Sequence, residues 1–467
     1  MSLIGSDPKS KSAQPSKSAQ PEAKKSGEIG GMMVRQQAAI ALGKILKGEV
    51  FEPFTKKEIA NSRDRALANR LVTLTLRRHG HLDHIIKSLL ERGIPKRSGL
   101  FEALLRISLA QILFLPELGD HSAIHLGVEI VKRDRRASRF GKLLNGILRR
   151  AQREREQWAN LDSKLLFPEW IFNSWEKKYG QEAILKFADA LLAGAPLDLT
   201  LAPQDLTLAQ KTPELISELG ANPVIFNSVR IFDRDKSVAL LPGYDEGLWW
   251  VQDVAAAIPA RLFTLQQGAK VMDMCAAPGG KTAQLAGRGF KVTALDNSPS
   301  RLQRLQENLN RLKYPVTVIE ADGKKFVAGE KFDGILLDAP CTASGTFRRH
   351  PEVLWQKNEK DITNRVLLQR QLIANAIKSL KQGGELIYCV CSLHSKEGEE
   401  QVAWVLQEFP QLVLNPIAPN ELAGLGGAIN KKGWVKTHAG LGFSNSLAGG
   451  MDGFFIARWH LKNNGAS

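Results

Sequence analysis

The chain has 467 residues, 43% of them hydrophobic, with 64 Lys and Arg against 48 Asp and Glu and a net charge of +16. That length allows about two to four domains, and no apolar run approaches the roughly 18 residues that a membrane span needs. The polar amino terminus lacks the apolar core of a signal peptide. The four cysteines, Cys275, Cys341, Cys389 and Cys391, all lie in the carboxy-terminal half, which excludes a disulfide framework and fits a reducing compartment. A cytoplasmic monomer without a membrane segment is expected.

Residues 1–31 are rich in Ser, Lys, Pro, Gln and Gly and repeat Ser-Lys-Ser-Ala-Gln-Pro at 10–15 and 16–21. Nothing there can bury a core, which predicts a disordered tail. Residues 32–157 hold 25 Lys and Arg against 13 Asp and Glu, a net +12; residues 1–31 add +2, so the remaining 310 residues carry only +2. Such an excess at one end is the electrostatic footprint of a polyanion binder, the plainer alternative being a soluble basic surface. Apolar residues recur there at helical spacing: Ala38, Ala39, Leu42, Ile45 and Leu46, then Leu67, Leu71 and Leu74. Further groups around Leu104, Val131 and Leu144 follow, separated by Gly and Pro breaks. An all-α bundle over 32–157 follows from this pattern.

Residues 158–245 are mixed. Phe167-Pro-Glu-Trp170 opens a helix towards Tyr179, a second helix covers about 182–192, and strands at Leu197–Leu201 and Val229–Phe232 flank a helix at about 205–219. These read as linker helices plus a small α+β domain. From Leu248, strands alternate with helices to the end, so that 246–467 form one domain. The strands are Lys270–Met274, Lys291–Leu295, Val316–Glu320, Gly334–Leu337 and Gly384–Cys391, with helices beginning near Lys281, Pro299 and Asn364. The alternation predicts a doubly wound parallel α/β sheet with helices on both faces.

Chemistry gathers at the strand ends, where such sheets bind ligands. The first strand ends in Asp273-Met-Cys-Ala-Ala-Pro-Gly-Gly-Lys-Thr282, whose small residues let the backbone approach a ligand. This is neither G-x-G-x-x-G nor a P-loop, which favours a nucleoside without phosphates. Asp296 ends the second strand, 16 residues after Gly280, where a ribose-binding acid belongs; Asp322 follows the third and can face a base. Asp338 ends the fourth, in Asp338-Ala-Pro-Cys-Thr-Ala-Ser-Gly345. Each acid alone reads as a helix N-cap, and Asp338 with Cys341 alone fits a capping Asp and a buried Cys equally well. Three acids at consecutive strand ends beside a glycine loop point to a ligand site. No metal-ligand cluster is visible.

Residues 248–460 resemble the catalytic domain of S-adenosylmethionine-dependent RNA (cytosine-5)-methyltransferases. The resemblance rests on the two motifs just quoted, with Arg349-His-Pro351, Tyr388-Cys-Val-Cys-Ser392 and Asp452-Gly-Phe-Phe455. Arg35 with Ala38, and Leu144-Asn-Gly-Ile-Leu-Arg149, resemble the RNA-binding NusB-like domain; that domain in front of this catalytic part is similar to bacterial enzymes acting on small-subunit (16S) ribosomal RNA. The chain departs from the pattern at Val390, where Thr is usual, at Cys389, where Ser is common, and at Leu199-Thr-Leu-Ala202, where a Leu-Arg-Val-Asn strand is frequent.

The resemblance implies a Rossmann-like domain that binds S-adenosylmethionine through Cys275, Ala276, Ala277, Pro278, Gly279, Gly280, Lys281, Asp296, Asp322 and Asp338. It implies Cys391 as the nucleophile that adds to C6 of cytosine, Cys341 as the group assisting proton removal or release, and Asp338 at N3. Lys281 and Arg349 are the cations expected to favour the thiolate. Arg348, Arg349 and His350 are expected to hold RNA phosphate, and a loop or partly single-stranded cytosine is the expected target, since the base must leave its stack. Cys389 reads as a strand residue, and Gly424–Gly450, with Trp434 and His438, as a mobile loop near the substrate.

Overall fold

The computed structural model describes residues 20–203, 212–232, 237–441 and 448–463, with the backbone alone at 20–29. The chain divides into two compact units, Met1–Leu161 and Asp162–Ser467.

The first unit is all helical: α1 (Gln20–Ile45), α2 (Ser62–Arg77), α3 (His79–Leu89), α4 (Phe101–Phe114), α5 (Asp120–Arg133) and α6 (Gly141–Arg153). Apolar on nearly every side, α4 is buried from Phe101 to Ile112 except at Glu102 and forms the centre of the bundle. By contrast α6 buries one stripe, Leu144, Ile147, Leu148 and Ala151, and turns its arginines outward. Arg35 is also interior: its guanidinium donates to Gln111 Oε1 at 2.8 and 3.1 Å, and burial lowers its pKa. Within the stretch 1–31 expected to be a disordered tail, the backbone is helical from Gln20; residues 1–19 lie outside the described residues.

In the second unit, α7 (Glu169–Tyr179) and α8 (Gln181–Ala193), expected as linker helices, pack into the body of the unit. Trp175 and Phe187 share a core with Phe347, Leu354 and Leu393, and Lys178 reaches Glu399 at 2.7 Å. A small antiparallel sheet follows, in the order β2 (Asn222–Pro223), β3 (Ser228–Ile231), β1 (Leu197–Leu201), β4 (Trp249–Val251), beside α9 (Thr212–Glu218). The small domain therefore runs past 245, since Trp249–Val251 pairs with β1. The first part of the helix expected at 205–219 lies outside the described residues.

The main sheet has eight strands: β5 (Lys270–Met274), β6 (Lys291–Asp296), β7 (Thr317–Glu320), β8 (Phe332–Asp338), β9 (Leu380–Val390), β10 (Leu412–Leu414), β11 (Val435–Thr437) and β12 (Phe454–Leu461). Their order is β10-β12-β9-β8-β5-β6-β7, with β11 paired to β12. Strands β5 to β9 are parallel, as expected, but β12 runs antiparallel between β9 and β10. A strand buried on both faces carries no mark of its direction, so an alternation argument that supplies parallel strands misses this one. Helices α10 (Gly280–Gly287), α11 (Pro299–Leu312), α12 (Val353–Gln356), α13 (Glu359–Ser379) and α14 (Glu399–Glu408) complete the layers. Among the described residues no helix is long and apolar enough to cross a membrane.

The small sheet carries a fully buried ion pair. Arg230 donates to both oxygens of Asp198, at 2.7 and 2.8 Å, and each side chain is at most 2% exposed. Asp198→Ala strands the guanidinium and is expected to cost about 3–5 kcal/mol in denaturant unfolding, whereas replacing both partners by apolar residues of similar volume should cost much less.

Candidate active site

The strand order reverses at β5, whose neighbours β6 and β8 lead away in opposite directions, so the crevice beyond β5 and β8 is the place for a ligand. The Cys275–Gly280 turn enters it and runs into α10. Asp296 holds that turn: it accepts from the N–H groups of Ala277 and Ser298, both at 3.1 Å, and Arg301 lies 3.4 Å away. Asp322, more open, has a side chain 36% exposed and accepts from Lys324 N–H at 3.0 Å. Cys275 is in the left-handed region, φ 62°, and burial together with the surrounding acids raises its thiol pKa.

Two thiols meet beside this crevice. Cys341 follows β8, Cys391 follows β9, and their sulfurs are 3.5 Å apart. The two loops are bonded to each other, Ala339 N–H to Cys389 O at 3.0 Å and Gly345 N–H to Cys391 O at 2.9 Å. Gly345 also touches the backbone of Gly453 so closely that a Cβ would lie 2.1 Å from its carbonyl oxygen. Beneath both loops sits Glu397, fully buried. Its carboxylate accepts from Thr342 N–H (3.0 Å), the Thr342 hydroxyl (2.5 Å), the Ser392 hydroxyl (2.6 Å) and the Gln369 amide (3.0 Å). Thr342 and Ser392 are the residues that follow the two cysteines.

The charges of the site are paired locally. Lys281 Nζ donates to Asp338 Oδ2 at 2.7 Å; burial opposes the ammonium, but Asp338, Cys389 and Asp273 together outweigh it and the Lys281 pKa is raised. The Cys389 thiol lies 3.5 Å from Asp338 Oδ1, and burial, then Asp338, raises its pKa. Arg349 pairs with the buried Asp452, its Nε 2.7 Å from Oδ2, and Asp452, Asp253 and Cys391 act on it electrostatically to hold its charge against burial. The hydrogen bond with Cys391, then burial, raises the Cys341 pKa well above that of a free thiol. Deeper in, Asp273 accepts from the Thr282 hydroxyl at 2.6 Å, and burial pushes its carboxyl up to about 7.

Residues 260–460 match the family model described as 16S rRNA methyltransferase RsmB/F, and residues 32–153 match the NusB family. The ribosomal RNA small subunit methyltransferase B of Yersinia pseudotuberculosis is 32% identical over 398 residues, covering 82% of this chain and 91% of its own. The chain belongs to the RsmB/F family of 16S rRNA methyltransferases. It is an S-adenosylmethionine-dependent methyltransferase with a NusB-type helical domain. Among solved structures, PH0851 is similar with a TM-score of 0.72 at 22% identity over 92% of this chain and 98% of its own. A methyltransferase homologue from Pyrococcus horikoshii gives 0.52 at 26% identity over 64% of this chain and 97% of its own. The site suits the cofactor: hydroxyls and amino groups are donors, and the crevice offers acids at three strand ends and a close-approaching backbone turn.

Within this methyltransferase site, the structure moves several expected residues. Arg348, expected to hold RNA phosphate, is 1% exposed; it donates to Gly449 O at 2.6 Å and faces Asp253 and Asp452 at 3.8 and 3.7 Å. Two buried acids claim the side chain that the sequence Arg348-Arg-His350 left open. Arg349 stays partly exposed, and His350 lies 3.4 Å from Glu352. At the departure from the Leu-Arg-Val-Asn pattern, Thr200 is buried and donates to Gln252 at 2.9 Å. The glycine-rich stretch contains β11 and a buried Trp434, with His438 packed against Tyr179 and Phe187; residues 442–447 lie outside the described residues. Glu397 was missed altogether, because within Ser395-Lys-Glu-Gly-Glu-Glu400 it reads as one more solvated charge.

Two outcomes are expected. Glu397→Ala leaves buried donors on both cysteine loops without an acceptor and should destabilise the second unit by about 3–5 kcal/mol; a change under about 1 kcal/mol in a denaturant melt would show that the carboxylate does not join the loops. For Asp273, the folded state keeps a proton between pH ~4 and ~7 that the unfolded chain has released, so its contribution to stability falls as pH rises through that window, by up to about 1.4 kcal/mol per unit. Asp273→Asn should flatten that slope in melts at pH 5 and 7.

Proposed function

We propose that the chain transfers a methyl group from S-adenosylmethionine to C5 of a cytosine in 16S ribosomal RNA through a covalent bond between Cys391 and C6. The pair of thiols 3.5 Å apart beside Asp338 carries this reading. A methyltransferase acting on nitrogen or oxygen needs no thiol, whereas C5 of cytosine is a poor nucleophile until a sulfur has added to C6.

In this scheme the Cys391 sulfur forms the bond to C6 while Asp338, oriented by Lys281, holds the proton at N3. That addition places electron density on C5. S-adenosylmethionine supplies the electrophilic methyl carbon. Cys341 assists afterwards, as the C5 proton leaves to base and the Cys391–C6 bond breaks to restore the thiolate. The resemblance of the Tyr388-Cys-Val-Cys-Ser392 motif is what assigns the attack to Cys391 and the assisting role to Cys341. Arg349, which interacts electrostatically with Cys391, supports negative charge there. The Cys275–Lys281 turn with Asp322 and Asp338 would hold the cofactor. Asp296 shapes that turn, and the second lone pair on each of its oxygens can accept from ribose hydroxyls.

A base must leave its stack to reach these sulfurs, so a loop or single-stranded cytosine is the proposed target. Arg349 and His350 remain the proposed phosphate contacts beside the site. A monomer working in the cytoplasm fits this assignment.

The test is a denaturing gel of each cysteine variant incubated with 16S RNA and S-adenosylmethionine, with nucleoside mass spectrometry of the wild-type product. Cys341→Ala should accumulate a slow-migrating protein–RNA adduct, Cys391→Ala should not, and the product should be 5-methylcytidine. The reverse gel pattern would reassign the nucleophile to Cys341, and any other methylated nucleoside would overturn the chemistry.

A further inference from the structure

Six exposed cations from three separate segments of the helical unit line one groove. Lys47 follows α1, Lys96 and Arg97 lie in the connection from α3 to α4, and Arg135, Arg136 and Arg139 lie between α5 and α6. The groove encloses about 1060 Å³. Several basic side chains elsewhere on this unit are matched: Arg70 with Glu117, Arg106 with Asp83 and Glu102, Lys132 with Glu129, Arg150 with Glu154, Arg155 with Asp120. Among the described residues none of the six groove cations has an acidic partner.

The acids Glu102 and Asp134 are committed elsewhere. Glu102 lines the groove but lies 3.2 Å from Arg106. Asp134, in the middle of the basic run, turns its carboxylate to backbone amides and accepts from Leu100 N–H at 3.2 Å, Arg136 N–H at 2.7 Å and Ala137 N–H at 3.0 Å. It thereby joins the 96–100 connection to the 134–139 segment. Gly99 allows that junction: its φ is +57°, and a Cβ would lie 2.6 Å from Asp134 Oδ1. Arg139 is steadied by the Phe140 ring, 4.7 Å from its centroid. The acid inside the basic run is thus the staple that assembles the groove.

We propose that this groove is a docking surface for the RNA phosphate backbone, supplying affinity away from the methyl-transfer site. Four of its six cations are arginines, whose planar forks match phosphate oxygens in pairs. Clustered like charges without counter-charges produce a potential of several kT that concentrates a polyanion. The proposal rests on RNA being the substrate, and its test separates the two ideas.

The full-length Lys96→Gln/Arg97→Gln/Arg136→Gln variant is compared with wild type for binding to a 16S RNA transcript between 50 and 300 mM KCl. A charge-matched control, Lys56→Gln/Lys57→Gln/Arg92→Gln, removes the same charge from exposed positions on the same unit. The groove variant should lose about 10- to 100-fold in affinity at low salt, with a log–log salt slope shallower by about 2 to 3, since each phosphate contact contributes about 0.7–0.9. Its S-adenosylmethionine affinity and its turnover at saturating RNA should match wild type while KM for RNA rises. An unchanged slope, or an equal loss in the control, would overturn the groove assignment, as would a defect seen only with protein-bearing ribosomal subunits, which would mark a protein dock. If wild type binds the transcript but methylates no cytosine, the catalytic reading fails and the groove result stands.

Discussion

The Glu397 carboxylate is the constraint on which the catalytic site depends. It is removed from water and would be strongly unfavourable there without donors. The donors that satisfy it are Thr342, one residue beyond Cys341, Ser392, one residue beyond Cys391, and Gln369 from α13. A single buried anion thus binds the exits of two neighbouring parallel strands and a helix crossing beneath them. Because β8 and β9 run parallel, their following residues emerge at the same end of the sheet. Emergence at one end brings the loops near each other, and the shared acceptor with the cross-loop backbone bonds brings the sulfurs to 3.5 Å. Tyr388, whose hydroxyl donates to the Glu397 carbonyl at 2.7 Å, ties the same residue to the interior of β9.

The electrostatics of the site follow from the same economy of water. Each cation near the reacting groups has an acid at short range: Lys281 faces Asp338, Arg349 faces Asp452, and Arg348 lies between Asp253 and Asp452. Such pairs hold side chains in fixed orientation while leaving little net charge in the crevice. Asp338 is the instructive member, because its two oxygens do different things. One is held by Lys281, and the other is within 3.5 Å of the Cys389 thiol, which burial and Asp338 itself keep neutral. Asp338 therefore stays oriented towards the crevice, with its side chain 31% exposed where a substrate can meet it.

Much of this was legible in the sequence, and the misses share a cause. Strands β5 to β8 and the second half of β9 are short apolar runs with Asp or Cys at or just beyond their ends, so their positions and the chemistry there could be read directly. The direction of β12 could not, because Phe454–Leu461 is buried on both faces and nothing local distinguishes an antiparallel return. Side chains whose surroundings come from distant segments were misplaced in the same way. Arg348 is buried by acids at 253 and 452, and Thr200 is claimed by Gln252. Glu397 is the clearest instance, since its three partners come from residues 342, 369 and 392 and none lies within a helical turn of it. Local spacing reports which face of an element is apolar, and it is silent on which buried charge a tertiary partner satisfies.

The same residue types serve opposite ends in the two units. In the catalytic unit Arg230, Arg349 and Arg458 are matched to Asp198, Asp452 and Glu421, so their fields are short-ranged and hardly respond to salt. In the helical unit, which holds most of the net charge, the groove cations face solvent while Asp134 is occupied by backbone amides. Charge left unpaired at a surface acts at a range of about a Debye length and recognises a polyanion without reading its sequence. The proposed reaction, which takes one base from its stack, would benefit from this separation. In that scheme the cost of unstacking, on the order of a few kcal/mol, would be met by the proposed phosphate contacts, leaving the crevice groups free to orient around the base and the thiols. Paired charge in the catalytic unit and the unpaired charge of the groove are complementary in the proposed scheme.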